Sequence, residues 1–318
     1  MAVTVVGSIA FDAVKTPFGE REKMLGGAAV HFALAASFFD EVRVVGPVGD
    51  DFGEAEFDVL RARGVDVSDI EHVPGETFFW AGEYGWDLNI RETLETRLGV
   101  FETFEPKLST AARESEVLFL ANIQPDIQRA VRAQCTGARF AALDSMNLWI
   151  DIARDSLVAA IEAVDCVILN DAELRQLTGK PNLVSAAREI LDWGAGSSGM
   201  RGPSVIVAKQ GEYGAALVTR EGFFALPAYP LETVIDPTGA GDTFAGGLVG
   251  YIAAHAGAPI DDDLLRRAMA HATVLASFNV EEFGTERIER LEGSEIVSRI
   301  GELHAMTQFS GAPLALRG

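Results

Sequence analysis

The run from Asp236 to Asp242, Asp-Pro-Thr-Gly-Ala-Gly-Asp, combines residues that can bind an anion with one that can move a proton. Proline and glycine predict a turn, and the small and apolar residues that follow predict a tightly packed helix beginning near Ala240. The first backbone N–H groups of a helix lack intrahelical partners, and the helix dipole adds about half a positive charge there. Because Gly239 and Gly241 let a ligand approach the main chain closely, these amides are predicted to form an anion-binding site.

Asp242 is the residue of this run that could take part in proton transfer. A carboxylate beside an anion-binding site would repel a phosphate group unless it had a function there. As a general base it would accept the proton of a substrate hydroxyl while the amides hold the transferring phosphoryl group. Acids in the first turn of a helix often serve only as caps, and spacing alone does not distinguish the two roles.

The protein is strongly acidic, which matters for any site that binds a phosphate group. The 318 residues include 47 acidic and 26 basic ones, which gives a net charge of −21. A balance this acidic argues against nucleic acid as a partner, because phosphate backbones require a basic footprint. A phosphate site must therefore take its positive potential from backbone N–H groups, a metal ion or a few well-placed cations.

The elements that must position this run alternate between apolar strands and helices. Strands are predicted at residues 3–8, 42–48, 117–121, 140–143, 166–169 and 205–208, and helices at 26–39, 53–64, 126–134, 154–163, 171–178 and 184–191. This alternation predicts an α/β fold with a central, mostly parallel sheet and helices on both faces.

Residues 76–105 depart from that alternation. Polar and apolar residues alternate there, with several aromatic residues that include Trp80 and Trp86. The pattern predicts antiparallel strands inserted into the α/β domain and paired with residues 11–24. We expect an α/β core of residues 1–10, 25–75 and 106–318, and a small β-sheet lid over the acceptor site formed by 11–24 and 76–105. A surface hairpin without a role is the alternative.

Two glycine motifs elsewhere do not fit nucleotide binding. Residues 194–199 match Gly-x-Gly-x-x-Gly, but a predicted helix precedes them and a predicted strand follows, which reverses the order of a dinucleotide-binding loop. A redox Rossmann enzyme would rest on this motif alone. Gly179-Lys180 is similar to the end of a Walker loop, but Pro181 follows it and Leu174 stands where the first glycine belongs.

The remaining features predict a cytoplasmic protein that contacts no membrane. The chain opens on a predicted strand rather than a basic and apolar leader. Residues 244–260 are too rich in small residues for a membrane span. Cys135 and Cys166 lack the spacing of a metal site and are expected to be reduced thiols. The C-terminal residues 309–318 are rich in glycine and proline and are expected to form a loose tail.

The run at 236–242, followed by Thr-Phe-Ala-Gly-Gly, resembles the signature of the ribokinase-like (PfkB) carbohydrate and nucleoside kinase family. Further matches follow in that family's order and extend the resemblance from residue 3 to about residue 300. They are Gly7-Ser8 with Asp12, Gly26-Gly27, Asn170-Asp171-Ala172-Glu173 and the segment 209–215. The resemblance implies a ribokinase-like fold and a kinase in which Asp242 is the base and Gly239, Ala240 and Gly241 supply the anion hole.

The same resemblance implies binding roles for further residues. Asp12, Gly26 and Gly27 correspond to acceptor-binding positions. The nucleotide side corresponds to Asn170, Glu173, Lys209, Gly211, Gly214 and Gly284. ATP and Mg²⁺ are expected, with Glu173 holding the metal through water. Asp236 and Thr238 are candidates for a monovalent-cation site, with K⁺ as the ion.

Each of these residues also has an ordinary explanation from its local sequence. Asp12 could be an exposed acid in a turn. Glu173 could be a first-turn helix acid beneath Asn170 as the cap. Lys209 ends a predicted buried strand and could simply extend outward into solvent.

His31 is the clear departure from the family pattern. In many sugar kinases of this family an asparagine follows the two glycines by a few residues and contacts the sugar, and here His31 stands at about that position. A histidine can hydrogen-bond a hydroxyl or stack on a ring, so the acceptor contact is either kept or changed. A histidine that only packs within its helix is the alternative.

The acceptor molecule is the least determined part of the prediction. A hexose, a pentose and a ribonucleoside all present a primary hydroxyl beside a ring. The aromatic lid and His31 favour a ribonucleoside, with a sugar as the alternative, and Asn89, Arg91 and Asn122 are candidate acceptor contacts. A non-catalytic regulator could use the same pocket, although a sensor has no need for a base. Both a monomer and a homodimer are compatible with the sequence.

Overall fold

Short apolar runs form the strands of the protein, and amphipathic or small-residue runs form its helices. The computed structural model describes residues 2–193 and 202–309. Within them the strands are β1 (Ala2–Val6), β2 (Ala10–Thr16), β3 (Gly19–Gly26), β4 (Glu41–Val48), β5 (Asp66–His72), β6 (Phe78–Tyr84), β7 (Arg91–Arg97), β8 (Val117–Leu120), β9 (Phe140–Asp144), β10 (Cys166–Asn170), β11 (Val205–Lys209), β12 (Ala215–Thr219) and β13 (Phe223–Leu226). The helices are α1 (Ala28–Ala36), α2 (Glu54–Ala62), α3 (Thr110–Arg113), α4 (Pro125–Gln134), α5 (Asn147–Ile152), α6 (Arg154–Ile161), α7 (Asp171–Thr178), α8 (Leu183–Trp193), α9 (Ala240–Ala254), α10 (Asp262–Asn279), α11 (Glu286–Glu289) and α12 (Gly293–Thr307).

The large sheet is parallel over most of its width. Its strand order is β13-β12-β11-β10-β9-β8-β1-β4-β5, and every neighbouring pair from β11 to β5 is parallel. Only the β11–β12 and β12–β13 pairs within this sheet are antiparallel. The predicted class, a mostly parallel α/β fold, is confirmed, whereas the antiparallel edge was not predicted.

Alternate residues of the central strands pack into two separate hydrophobic layers. Val117 and Phe119 of β8 belong to the layer that contains α1, α9 and α10, and Leu118 and Leu120 belong to the layer that contains α4, α6 and α8. Successive side chains of a strand point to opposite faces, so a strand buried on both faces must be apolar throughout. This explains why these strands could be recognised as short continuous apolar runs.

The second sheet is small and has the strand order β3-β2-β6-β7. β2 pairs with β3 and β6 pairs with β7 in antiparallel fashion, but β2 and β6 run parallel. The expectation of purely antiparallel strands was therefore wrong at that one pair. The chain leaves the small sheet after β3 and passes through part of the large sheet before β6, so no short hairpin dictates the direction of β6.

Glycines allow the helix α9 to pack closely against its neighbours. A Cβ on Gly246 would lie 2.3 Å from the carbonyl oxygen of Phe32 in α1, and one on Gly247 would lie 2.8 Å from the Cα of Ala272 in α10. The small-residue run after Asp242 therefore forms a helix buried between two others. This packing fixes the position of the N-terminus of α9.

Several local predictions can be compared with the described residues. The predicted helix at 171–178 is found as α7, which ends at Gly179 in the left-handed conformation. The motif at 194–199 lies outside the described residues, and so does the predicted tail at 309–318 apart from Phe309. Over the described part of the chain, no helix has the length and apolar character that crossing a membrane requires.

Candidate active site

The turn before α9 positions two unpaired backbone amides. Gly239 is the N-terminal cap residue of α9 and has a φ of 73°, which favours glycine. The amide of Ala240 donates to the carbonyl of Pro237 at 3.3 Å, so this predicted anion-hole amide is already engaged. Among the described residues, the amides of Gly239 and Gly241 have no acceptor. These two amides remain available to bind an anion.

Asp242 is partly buried in the first turn of α9. Burial raises the pKa of its carboxyl to about 7, and repulsion by Asp144 adds to the rise, while Lys209 and Arg91 oppose it. The backbone N–H of Asp242 itself also opposes the rise in this pKa. A carboxyl with a pKa near neutrality is suited to accept a proton from a substrate hydroxyl.

Lys209 supplies a cation beside the free amide of Gly241. Its Nζ lies 2.7 Å from Oδ2 of Asp144, and a Cβ on Gly241 would lie 3.0 Å from the same Nζ. The Lys209 side chain is only 18 % exposed, so it does not extend outward into solvent. Burial lowers the pKa of this lysine, but the carboxylates of Asp144, Glu173 and Asp242 outweigh burial and raise it. The ammonium therefore stays charged at the N-terminus of α9.

Asn170 and Glu173 form the reciprocal cap of α7. The amide of Glu173 donates to Oδ1 of Asn170, and the amide of Asn170 donates to Oε2 of Glu173, both at 2.8 Å. Burial raises the pKa of Glu173 to about 7, helped by Asp144 and opposed by Lys209. The alternative assignment as a helix-capping pair is therefore geometrically correct. The shifted pKa indicates that Glu173 also lies close to the charges of Asp144 and Lys209.

In the described part of the chain, the acidic side chains of this site are not arranged to coordinate a metal ion directly. Among the described residues, no group of three or more His, Cys, Asp or Glu side chains is arranged to bind a metal ion. An Mg²⁺ ion bound through water and through the phosphates of its nucleotide fits this donor set, because Mg²⁺ keeps several waters in such sites. Glu173 and Asp144, whose carboxylates both raise the pKa of Lys209, could hold those waters.

Asp12 lies on β2 and is only 5 % exposed, so it is not an exposed turn acid. Burial raises the pKa of its carboxyl to about 7, the amide of Gly27 opposes the rise, and Asp236 and Asp242 add to it. A Cβ on Gly26 would lie 2.0 Å from Oδ2 of Asp12, so the glycine at 26 makes room for this carboxyl.

His31 lies directly behind the turn. A Cβ on Gly239 would lie 2.4 Å from Nδ1 and Cε1 and 2.5 Å from Cδ2 of the imidazole, so the glycine packs on the ring face. The His31 Nδ1 atom lies 3.2 Å from Oδ1 of Asn279, and its Nε2 atom is buried without a hydrogen-bond partner among the described residues. Burial lowers the pKa of His31 to about 4, so the ring is neutral at pH 7.

The small sheet contributes Arg91 and Tyr84 to the site. The Arg91 guanidinium is close enough to lower the pKa values of Asp12, Glu173 and Asp242. It also lies 5.1 Å from the centroid of the Trp80 ring. The hydroxyl of Thr238 lies 3.2 Å from that of Tyr84, a hydrogen bond that ties the small sheet to the turn before α9.

Several predicted site residues lie elsewhere. Asn89 does not join the acceptor-side residues: its Nδ2 lies 3.4 Å from Oε1 of Glu212, and its Oδ1 lies 2.4 Å from where a Cβ of Gly211 would stand. Oδ1 of Asn122 accepts from the indole N–H of Trp149 at 3.0 Å. The Trp86 side chain is 83 % exposed.

The two glycines predicted for nucleotide binding at 214 and 284 have structural contacts. A Cβ on Gly214 would lie 2.0 Å from the carbonyl oxygen of Leu226, which explains glycine at the turn between β11 and β12. The amide of Gly284 donates to Oδ2 of Asp236 at 3.0 Å. Both residues shape the backbone around the site.

Asp236 holds the turn in place. It is fully buried, and its other oxygen, Oδ1, accepts from the amide of Thr238 at 2.9 Å. Burial raises the pKa of Asp236, opposed by the amide of Gly284. Both carboxylate oxygens already have a protein donor, so a monovalent cation at Asp236 and Thr238 would use their remaining lone pairs.

Asp144, Tyr84 and Asn279 belong to the site although they were not predicted. Asp144 ends β9, and a polar residue that closes an apolar strand was an available signal, because carboxyl ends of parallel strands meet at one edge. Tyr84 lies in the predicted lid, and no sequence pattern distinguished it from the other aromatic residues of that segment. Asn279 ends α10, a helix that had not been predicted, so nothing in the local sequence indicated it.

The sequence matches a family model and characterised kinases. The model for the pfkB family carbohydrate kinases matches residues 2–290. The cytidine kinase of Thermococcus kodakarensis is 29% identical over 256 residues, which cover 78% of this chain and 88% of that kinase.

The fold is similar to those of solved kinases. The nucleoside kinase of Methanocaldococcus jannaschii, an archaeal member of the ribokinase family, gives a TM-score of 0.75 at 20% identity over 95% of this chain and 98% of that one. The fructokinase of Vibrio cholerae, solved with fructose, ADP and calcium, gives a TM-score of 0.76 at 20% identity over 94% and 98% of the two chains. At such identities the likeness shows the fold, and it confirms the predicted ribokinase-like architecture.

Proposed function

The chain belongs to the pfkB family of carbohydrate kinases, phosphotransferases with an alcohol group as acceptor, and we propose that it transfers the γ-phosphoryl group of ATP to a primary hydroxymethyl group of a ribonucleoside. The observation that carries this proposal is the arrangement around the N-terminus of α9. The raised pKa of Asp242, the free amide of Gly241 and the Lys209 ammonium occur together there. These are the base, the hydrogen-bond donor and the cation that phosphoryl transfer to an alcohol requires.

Asp242 acts as the general base. It accepts the proton of the acceptor hydroxyl as that oxygen forms a bond to the γ-phosphorus and the bond to the ADP oxygen breaks. Burial supports this role, because the raised pKa of Asp242 lets it hold a proton near neutral pH. The nearby Lys209 ammonium keeps a substantial fraction of the carboxyl ionised by opposing that rise.

The Gly239 and Gly241 amides and the Lys209 ammonium bind the transferring phosphoryl group. They act as fixed hydrogen-bond donors and charge at the position where negative charge accumulates. Lys209 is held by Asp144 at 2.7 Å, so its direction is set before the nucleotide binds. Mg²⁺, held through water by Glu173, would neutralise phosphate charge in the cluster of acids.

The nucleoside assignment depends on the lid. The Arg91 guanidinium and the Trp80 ring, 5.1 Å apart, offer a planar cation and an aromatic face on the acceptor side. Such groups bind a base by stacking and cation–π contact. The similarity to a cytidine kinase, with 88% of that kinase covered, supports the same class.

A sugar is the second candidate acceptor. Asp12, buried beside Gly26 and Gly27, is suited to accept hydrogen bonds from ring hydroxyls of a ribose or of a free sugar alike. The fold likeness to a fructokinase solved with fructose favours this alternative. A non-catalytic binding protein would use the same groups without turnover.

One assay separates these candidates. Purified protein is given ATP and Mg²⁺ with cytidine, inosine, adenosine, ribose or fructose, ADP release is followed, and the phosphorylated product is identified by mass. Phosphorylation of a ribonucleoside with at least tenfold higher kcat/KM than either sugar is the expected result. Preference for a sugar would change the acceptor class but keep the reaction. No product from any acceptor would contradict the kinase assignment and favour the binding protein.

The ion requirements can be measured in the same assay. We expect activity to require Mg²⁺ and to rise when Na⁺ is replaced by K⁺, since Asp236 and Thr238 are the proposed monovalent-cation ligands. Equal rates in the two salts would remove the K⁺ site from the proposal.

A further inference from the structure

A buried glutamine contacts the backbone that carries one residue of the phosphoryl side. Gln128 lies on α4 and is fully buried. Its Nε2 lies 2.8 Å from the carbonyl oxygen of Asp144, 2.9 Å from that of Ala121 and 3.4 Å from that of Leu120. Carbonyl oxygens can only accept a hydrogen bond, so the atom that faces them must be the amide nitrogen. These contacts therefore fix the orientation of the side chain.

The two nearer carbonyl groups stand where the pairing of two strands stops. The last paired residues of β8 and β9 are Leu120 and Leu143, so Ala121 and Asp144 each lie one residue beyond that pairing. The Gln128 amide donates to one carbonyl on each segment. It therefore joins the two segments at the point where the strand pairing no longer does.

The hydrogen bond to Asp144 also sets the direction of a backbone amide. The carbonyl of Asp144 and the N–H of Ser145 belong to one peptide unit, which is planar. A bond that holds the carbonyl therefore also directs the N–H, and this N–H donates to Oδ1 of Asp144 at 2.7 Å. The other carboxylate oxygen, Oδ2, lies 2.7 Å from Nζ of Lys209. A chain of contacts thus runs from Gln128 through Asp144 to the ammonium.

This chain ends at a group that we propose to bind the transferring phosphoryl group. A Cβ on Gly241 would lie 3.0 Å from Nζ of Lys209, so a displaced ammonium would change the geometry beside the free amide of that glycine. Donors and charges stabilise a transition state best when their positions are set before the reaction. A residue that fixes the direction of Asp144 can therefore affect the rate without touching a ligand.

We propose that Gln128 is a positioning residue for phosphoryl transfer: its amide orients the peptide unit between Asp144 and Ser145, and this unit holds the Asp144 carboxylate against the Lys209 ammonium. The inference deepens the proposed function and rests on it for the role of Lys209, whereas the chain of contacts does not depend on it. An amide that only joined β8 to β9 would stabilise the fold and leave the position of the ammonium unchanged.

Variants of α4 separate positioning from stability. Gln128→Met keeps the length of the side chain and removes the amide. Val131→Ala is the control for stability, because Val131 is fully buried on the same helix and packs in the layer with α6 and α8. Gln134→Met is the control for the substitution itself, since the Gln134 amide donates to the carbonyl of Ala130 at an exposed position. Gln128→Asn, with an amide on a shorter side chain, takes the place of Gln128→Met if that variant does not fold.

The position of the ammonium can be read by NMR. Lys209 is one of five lysines, so ¹⁵N labelling of lysine side chains gives a simple ¹H–¹⁵N spectrum, in which the Lys209 signal is identified by its loss in Lys209→Met. We expect Gln128→Met to shift this signal toward the position that it takes in Asp144→Asn. Val131→Ala and Gln134→Met should leave the signal unchanged. An unchanged Lys209 signal in Gln128→Met would overturn the proposal.

The consequence for the reaction should appear in kcat. With ATP and the acceptor that wild type prefers, Gln128→Met should lower kcat roughly tenfold, because a displaced cation stabilises the transition state less, and leave the KM for the acceptor unchanged. Val131→Ala should keep the wild-type kcat, although both variants should unfold at lower urea concentration than wild type. In an Asp144→Asn background, Gln128→Met should lower kcat by no more than about twofold, since the group through which it acts has been removed.

The outcomes separate this inference from the proposed function. An equal loss of kcat from Gln128→Met in the wild-type and Asp144→Asn backgrounds would contradict the inference and leave the kinase assignment intact. A loss of kcat in Val131→Ala as large as that in Gln128→Met would contradict it as well, because the loss would then follow stability. Absence of turnover with every acceptor would contradict the proposed function, and the Lys209 signal would still show whether Gln128 holds the ammonium.

Discussion

The two sides of the candidate active site are held in different ways. On the phosphoryl side, Asp144, Asn170 and Lys209 are the last residues of three neighbouring strands, β9, β10 and β11, which are buried on both faces. On the acceptor side, Arg91 begins β7, an edge strand with all seven residues exposed. The first group is positioned by the register of a core sheet, and the second by the edge of the small sheet.

From this difference we expect phosphoryl transfer to depend on the core sheet and selectivity for the acceptor to depend on the small sheet. The proposed base and phosphoryl-binding donors, which need a fixed geometry, lie on buried elements whose positions the core dictates. The groups proposed to contact the acceptor come partly from the exposed small sheet, which the bond from Thr238 to Tyr84 ties to the turn before α9. Changes on the phosphoryl side should therefore lower the rate with every acceptor, and changes on the lid should alter the KM for the acceptor.

Asp242→Asn is expected to have the largest effect. Loss of the base should lower kcat by at least roughly 100-fold and leave nucleotide affinity nearly unchanged. ADP affinity by calorimetry and kcat by ADP release measure the two quantities. The variant should not be less stable at pH 8, since it removes a carboxylate that burial destabilises in its charged form. Wild-type kcat would remove Asp242 from the mechanism.

Gly239→Ala tests the turn itself. The φ of 73° and the His31 ring at 2.4 Å oppose a Cβ there, so we expect at least a tenfold loss of kcat/KM and a stability loss of roughly 1–3 kcal/mol. The matched control is Gly257→Ala, which has a φ of 80° but no neighbour within 4 Å. The control should lose some stability and no activity. Equal activity losses would mean that backbone strain alone explains the result.

Lys209→Met tests the fixed cation on the phosphoryl side. It leaves Asp144 without its partner, so unfolding by urea should show a loss of roughly 1–3 kcal/mol, and kcat/KM for ATP should fall about tenfold or more. Lys180→Met is the control, because its ion pair with Glu189 is about half exposed and should contribute less than about 1 kcal/mol. An unchanged KM and kcat for ATP would place Lys209 outside the mechanism.

Tyr84→Phe tests the lid and should have the smallest effect. Loss of the bond to Thr238 should raise the KM for the acceptor about fivefold, in line with one neutral hydrogen bond, and change kcat little. Trp86→Ala serves as the control, since its side chain is 83 % exposed, and it should match wild type. A larger effect of Trp86→Ala would mean that the lid meets the acceptor through a different face.

The core of this fold could be predicted because its strands obey a simple pattern. β8 is apolar throughout and β10 is apolar up to its last residue, since both of their faces are buried, and α9 follows a glycine turn. β12 and β13 join the same sheet at its antiparallel edge, where no α-helix separates the strands, so the strand–helix alternation did not reveal them. The parallel pairing of β2 with β6 depends on the path of the chain through the core, which no local pattern records.

The candidate site was predictable only where residues follow one another in the chain. The Asp236–Asp242 run is contiguous, so its turn, its helix and its carboxylate could be inferred together. Asp144 and Asn279 reach the site from β9 and α10, and only the strand register and helix packing bring them to Lys209 and His31. Asn89 likewise lies beside Gly211 and Glu212, a neighbourhood that its position in the chain did not reveal.

The pH dependence of kcat/KM for the acceptor tests the central claim most directly. A base must be ionised to accept a proton, so activity should fall as the pH drops below the pKa of Asp242, near 7, by about tenfold per unit. The residual activity of Asp242→Asn should lack this acid limb. An acid limb that persists unchanged in the variant would assign the titration to another group, such as Asp12 or Glu173, and contradict the role of Asp242 as the base.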